Sequence, residues 1–194
     1  MTRFATRTGE LLASIKQTCG DDRASQIVEF ALSLPLLVVF AVGIFDFSGA
    51  LSLKQKLTNA AREGARVAAS DPATDLNASV PVSVSDAVQV VDNYLLSARV
   101  NDCGLSGAAP VLTTGLTWSA TTTGTCSGSG ITVSVNKGCT STIPANSTTV
   151  HLIGTCVLIS YPYKWKYNSV AGLFGASFAG PSTINTAAGA FSEN

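Results

Sequence analysis

Charge is scarce in this chain: acidic and basic residues together make up 12% of 194 residues, their signs cancel to a net charge of zero, and there is one histidine. Without a basic run or an arginine-rich helix beyond the Arg62 and Arg66 pair, the sequence has no electrostatic footing for nucleic acid. The single histidine, His151, has no GxSxG, HExxH or paired-carboxylate setting and reads as a structural strand residue. No catalytic residue, cofactor or metal site is therefore expected. The five cysteines include no CxxC pair, which argues against a zinc ribbon.

Long hydrophobic stretches are limited to one. From Phe30 to Phe45 no side chain is charged; Ile27 and Val28 before it and Phe47 to Leu53 after it lengthen the apolar segment, with Glu29 and Asp46 at the two ends. About 20 mostly apolar residues suffice to cross a bilayer, and carboxylates near the ends avoid the cost of charge at its centre. Pro35 is tolerable in such a helix and is expected to kink it. Beyond Leu53 the helical pattern continues: Leu53, Leu57, Ala60, Ala61, Gly64, Val67 and Ala68 recur at three- and four-residue steps until Asp71-Pro72. The spacing thus predicts one nearly continuous helix over 27–70, half in lipid and half outside. Asp46, near the far interface, is expected to be a solvated carboxylate.

Cys103, Cys126, Cys139 and Cys156 all follow this helix, and only Cys19 precedes it. An even set in a Ser/Thr/Gly-rich region suits two disulfides in an oxidising compartment. Three connectivities are open, and Cys126 with Cys156 plus Cys103 with Cys139 is a weak preference. Arg3, Arg7, Lys16 and Arg23 before the span are matched by Lys54, Lys56, Arg62 and Arg66 after it, so charge alone does not orient the segment. The distal cysteines do, and place the N-terminus in the cytoplasm.

The remaining chain reads as one α+β domain over 71–194, following a leader over 1–24 and the helix over 25–70. A second helix is expected from Asp86 to Ala98, capped by Ser85, with Val84, Val88, Val91, Leu95 and Ala98 as its buried stripe. Asn101 to Gly130 is rich in Gly, Ser and Thr, with one apolar patch near Val111 to Trp118. Period-two alternation then marks strands at 131–135, around 149–152 and at 156–161, joined by a loop containing Gly138 and Pro144. Pro181 to Phe191 supplies a last strand anchored by Ile184. The expected soluble part is a small sheet on the outer half of the long helix.

Three blocks in order, IVEFALSLPLL, GIFDFSGAL and LTNAAREGARVAA, give the chain a resemblance to the TadE-like minor pilins or pseudopilins of tight-adherence type IV pili. A weaker likeness continues at VLISYPYKW and GLFGASFAGPSTINTAAGAF. The resemblance implies a pilin-like fold in the bacterial inner membrane, N-terminus inside, and a prepilin peptidase cutting between Ala24 and Ser25. Ala24 stands where the family usually has glycine. It further implies that Glu29 pairs with the N-terminal amine of a neighbouring subunit and sets axial register, offsetting the cost of both charges in an apolar bundle. Pilin subunits and the pilus assembly platform are the implied partners.

In the third block, Ala60, Ala61, Gly64, Ala65, Ala68 and Ala69 give one helix side a low profile that admits another backbone or the chain's own sheet. Asp46, Asn59, Arg62, Glu63 and Arg66 are candidate helix contacts, the last three otherwise forming a solvated face. Asn77-Ala-Ser79 and Asn146-Ser-Thr148 match a glycosylation pattern that has little meaning in a bacterial chain. An alternative reading is an exported binding domain, with Ser48-Gly49-Ala50 as a signal-peptide cleavage site. The apolar stretch is long for that role, since signal cores run about 7–15 residues.

Overall fold

A computed structural model describes residues 22–70, 73–126, 128, 130–145, 148–166 and 181–191. The first helix, α1, spans Asp22–Ser70 without interruption at Pro35, and a second, α2, spans Val82–Ser97. Among the described residues five strands follow: β1 (Val111–Thr114), β2 (Thr117–Thr122), β3 (Ile131–Ala145), β4 (Thr148–Pro162) and β5 (Thr183–Phe191). They form one antiparallel meander in the order β1-β2-β3-β4-β5. The long helix with a five-stranded antiparallel sheet makes the α+β fold that the sequence predicts. The chain divides into two compact units, and one boundary falls inside α1 between Asp46 and Phe47.

In the sheet unit, α1 presents Leu57, Ala60, Ala61, Ala65 and Ala68, all fully buried, in one core with Val84, Ala87, Val91 and Leu95 of α2. The sheet completes that core from alternate positions of its central strands. Val133 faces Ile159 across the ladder and Val135 faces Val157, while Trp118 and Ala120 of β2 pair with Val135 and Val133. The residues between them point the other way, so Ser119 and Ser134 share a hydrogen bond at 2.8 Å and Thr121 and Thr132 one at 3.2 Å. This is the inward/outward alternation of a sheet with one buried face.

Gly64 is a point of close packing between α1 and α2. A Cβ there would lie 2.8 Å from a Val91 methyl and 3.3 Å from the Ala87 carbonyl oxygen, so α1 and α2 approach closely because this residue has no side chain. Trp118 is 1% exposed and its indole N–H donates to the Ser79 carbonyl at 3.1 Å, which satisfies the one polar atom that its burial would otherwise strand.

Both helices borrow their terminal partners from elsewhere in the chain. No basic residue lies in the last turn of α1, but the Lys137 ammonium, from β3, donates to the Ala68 carbonyl. Lys56 of α1 donates to the Ala98 carbonyl at the end of α2, at 2.9 Å. Cations at helix C-termini satisfy orphan carbonyls and oppose the negative end of the dipole. Helix α2 also ends in a Schellman arrangement: Val100 N–H bonds to Leu95 C=O and Arg99 N–H to Leu96 C=O, with Arg99 at φ 55°.

The start of α2 corrects the expectation of Ser85 as its cap. The helix begins at Val82, after Pro81, and Ser85 turns its hydroxyl back to the Val82 carbonyl within the first turn. Pro81 supplies a fixed φ of −62° just before the helix, and the Asp75 carboxylate accepts from Ser83 N–H at 3.3 Å. The cap thus comes from eight residues upstream, beyond the reach of a local capping signal.

A second correction concerns Gly138 and Pro144, expected in a loop and found inside β3. The strand survives them through a register shift between Asn136 and Cys139, where Asn136 Oδ1 accepts Gly138 N–H at 2.8 Å. Pro144 lies beyond the part of β3 that β2 pairs with, Ile131 to Asn136, so its missing N–H breaks no bond on that side. The expected strands around 149–152 and 156–161 are one strand, β4. His151 lies in it, opposite Thr142. Asp71-Pro72, Asn146 and the leader up to residue 21 lie outside the described residues.

The disulfides pair Cys103 with Cys126 and Cys139 with Cys156, against the preferred alternative of Cys126 with Cys156 and Cys103 with Cys139. The register explains the second bond. Asn136 sits opposite Cys156 and Cys139 opposite Gly154, so the shift between them brings the two cysteines diagonally together, Cα atoms 5.9 Å apart. The first bond follows from the turn after α2. Asn101 Oδ1 accepts Cys103 N–H at 3.0 Å and the Thr125 hydroxyl at 3.0 Å, and the Cys103 carbonyl accepts the Thr122 hydroxyl, tying that turn to the end of β2. Closing loops of this size stabilises a fold by about 3 kcal/mol each in a chain-entropy account.

The tight contact at Gly64 gives a measurable expectation. Gly64→Leu overpacks the junction of α1 and α2 and should cost about 1–3 kcal/mol, despite the helix propensity that leucine adds. Thermal unfolding of the full chain in detergent, compared with wild type, checks this; an unchanged midpoint contradicts the packing.

Candidate functional site: the α1 stem and its surroundings

The first half of α1 carries the residues that the sequence marks for assembly. Ser25 and Glu29 are both exposed and one helical turn apart, which puts them on the same side of α1. After them Phe30, Leu32, Leu36, Leu37, Phe40, Ile44, Phe45 and Phe47 are each at least 59% exposed. So much apolar surface has no place in water unless lipid or other helices cover it. Ser33 returns its hydroxyl to the Phe30 carbonyl at 3.1 Å, two residues before Pro35. Among the described residues α1 is the one helix long and apolar enough to cross a membrane, and none of its most apolar window is buried.

Asp46 departs from the solvated carboxylate that the sequence suggests. It is 8% exposed and is not without an interaction partner. Taking a carboxylate out of water costs free energy that partner groups offset.

In the second half of α1 the two sides differ. Ala60, Ala61, Gly64, Ala65, Ala68 and Ala69 are buried, and the low profile they create is filled by the chain's own α2 and sheet. Asn59, Arg62 and Arg66 are exposed and Glu63 is half-buried. Arg66 and Glu63 form an ion pair at 2.8 Å, three residues apart. Exposed pairs of this kind contribute little, roughly 0–1 kcal/mol. Arg62 and Asn59 line a shallow cavity of about 410 Å³ with Leu51, Lys54, Gln55 and Thr58. Glu63, Arg62 and Arg66 are therefore brought together on a solvated face, while Ser25, Glu29 and Asp46 lie farther along the stem.

The sheet unit holds one strained electrostatic cluster that no sequence pattern announced. Asp92 of α2 is 5% exposed, shares a side-chain hydrogen bond with Asp102, and has one buried oxygen with no hydrogen-bond partner among the described residues. Burial first, and then the neighbouring Asp102 charge, push its carboxyl above the usual range. The same two causes raise the Tyr161 phenol, whose O–H donates to the Asn101 carbonyl at 2.9 Å. Asp92 borders a cavity of about 410 Å³ of mixed lining, with Ser85, Asp86, Gln89 and Asn93 on it beside the apolar Val88 and Leu105. Val91 and Leu95 flank Asp92 in a readable apolar stripe, but nothing local brings Asp102 beside it.

The fold and stem define an α+β protein whose apolar N-terminal helix is suited to a membrane. Residues 24–66 match the family model described as TadE-like protein, so the TadE-like blocks of α1 that the sequence shows are matched as a family segment. The match covers the stem together with most of the outer half of α1. No curated protein and no solved structure matches the chain significantly.

Asp92 yields a pH-dependent expectation. Its pKa is higher folded than unfolded, so the fold keeps a proton that the unfolded chain releases. Stability linked to it is complete below the ordinary carboxylate range and is lost as pH rises through the folded value. Asp92→Asn should therefore raise the melting temperature at neutral pH and lose that advantage at about pH 3, below the unfolded carboxyl value. Paired thermal melts at the two pH values check it; an equal effect at both rules out the titration.

Proposed function

We propose that this protein is a minor pilin or pseudopilin that takes part in initiating, priming or tipping a tight-adherence pilus, and that it assembles through α1. The observation that carries this reading is the exposed apolar run of α1 inside the TadE-like segment, with Glu29 at its entrance. The protein acts by helix packing and not by catalysis. Its stem crosses the bacterial inner membrane once with the N-terminus in the cytoplasm and the sheet domain outside. Two disulfides in the sheet domain support that orientation, because such bonds persist in oxidising compartments.

A prepilin peptidase cuts between Ala24 and Ser25 at the cytoplasmic face, leaving Ser25 as the new amino terminus. The Glu29 carboxylate then pairs with the terminal amine of the neighbouring subunit in the apolar bundle. That pair fixes axial register, since leaving either charge alone among apolar helices is costly. Arg62, Glu63 and Arg66, exposed or half-exposed past the span, are available to neighbouring subunits or the assembly platform.

Mass spectrometry of the mature chain from a host carrying the pilus system should give Ser25 as its first residue. A start at Leu51 identifies a signal peptide and overturns the pilin reading. Glu29→Val should leave that processing intact and reduce incorporation into the assembly, measured by co-purification with the other subunits. Undiminished incorporation removes the register role even where cleavage at Ser25 holds.

A further inference from the structure

Past Pro162 the chain leaves β4 through Tyr163, Lys164, Trp165 and Lys166, a short aromatic and basic segment held in a defined shape. Tyr163 N–H donates to the Ser182 carbonyl at 2.8 Å, and the Trp165 indole N–H donates to the Pro181 carbonyl at 3.1 Å. The two rings meet edge to face with centroids 5.0 Å apart. Both bonds run to the residues that lead into β5, so the segment is fastened to the sheet. Tyr163 and Trp165 are nonetheless part-exposed and Lys164 is exposed.

Its height along α1 is set by one contact. A Cβ added at Gly49 would lie 3.5 Å from the Tyr163 hydroxyl oxygen, which seats the tip of that ring against the helix at Gly49. The part of α1 from Ile27 to Phe47, in which Glu29 and Asp46 bracket the uncharged Phe30–Phe45, is about 31 Å long at the rise of an α-helix, close to the ~30 Å of a bilayer's hydrocarbon. Gly49 then falls about 3 Å beyond the last phenylalanine of the run, at the level of the lipid headgroups. Tyrosine and tryptophan favour that layer, where an apolar ring body and a polar tip are both accommodated.

Charge agrees with this position. No acidic residue occurs from Phe47 to Arg62 or from Val157 to Ser192, whereas Lys54, Lys56, Arg62, Lys164 and Lys166 fall in those two stretches. Lys54 lies about 10 Å along α1 from Phe47, within a screening length of the headgroup plane. Basic residues so placed are attracted to anionic lipid headgroups.

We infer that Tyr163, Lys164 and Trp165 form a lipid anchor at the extracytoplasmic surface of the membrane. The two rings sit in the headgroup layer, and Lys164 faces anionic phosphate. The anchor holds the sheet domain at a fixed height on the bilayer before the subunit is taken into an assembly. It rests on α1 being the membrane span.

The test uses the full chain reconstituted in phosphatidylcholine vesicles, with and without phosphatidylglycerol, and lipids brominated either high or deep on the acyl chain. The chain has two tryptophans, and Trp118 is sealed in the core at 1% exposure, so quenching by bromine reports Trp165. Shallow bromines should quench more than deep ones, Trp165→Phe should abolish that quenching, and Lys164→Glu should remove the blue shift that phosphatidylglycerol adds. Equal quenching of wild type and Trp165→Phe, with the chain retained in the membrane after an alkaline carbonate wash, overturns the anchor and leaves the span standing. Release of the chain by the wash overturns the span itself and the anchor with it.

Discussion

The fold rests on a close approach between α1 and α2 that only small residues permit. At Gly64 the missing Cβ leaves room for a Val91 methyl and the Ala87 carbonyl, and Ala60, Ala61, Ala65 and Ala68 extend the same low surface along the helix. Helices that meet over small side chains bring their backbones together and exclude water along the whole contact. The sheet follows from that seat, because Val133, Val135, Val157 and Ile159 close the core from its other side. Larger residues along this row would lift α2 and the sheet from α1 together.

That packing gives the two halves of one helix different solvents. The outer half satisfies its apolar face within its own domain and shows Asn59, Arg62 and Arg66 to water. In the first half, phenylalanines and leucines such as Phe30, Leu32, Phe40 and Phe45 are exposed among the described residues. A helix apolar all round belongs in lipid or among other helices. A small-residue row such as 60–69 also suits an intermolecular helix contact. It is spent on intramolecular packing, so contacts made by that part of α1 fall to its charged side.

Long-range polar contacts then fix the ends of the elements. Lys137 reaches the last turn of α1, Lys56 the end of α2 and Asp75 the start of α2. Each of these partners lies far enough along the chain that it exists only in the folded domain. Asn101 acts similarly in the turn after α2, receiving Cys103, Thr125 and Tyr161 and so positioning one disulfide against the sheet.

Features that depend on local spacing are legible in the order of residues alone. The apolar run and three- and four-residue steps fix α1 from the span to Ser70, the alternation at Ile131, Val133 and Val135 fixes the inner face of β3, and the ordered blocks of α1 fix the TadE-like segment. The disulfide pairing, the passage of β3 through Gly138 and Pro144, the beginning of α2 at Val82, and the burial of Asp46 and Asp92 emerge from the folded chain. Hydrophobic period is written in neighbouring residues, whereas a register shift, a cap from eight residues away or a pair such as Asp92 and Asp102 is set by segments that meet only once the core has formed.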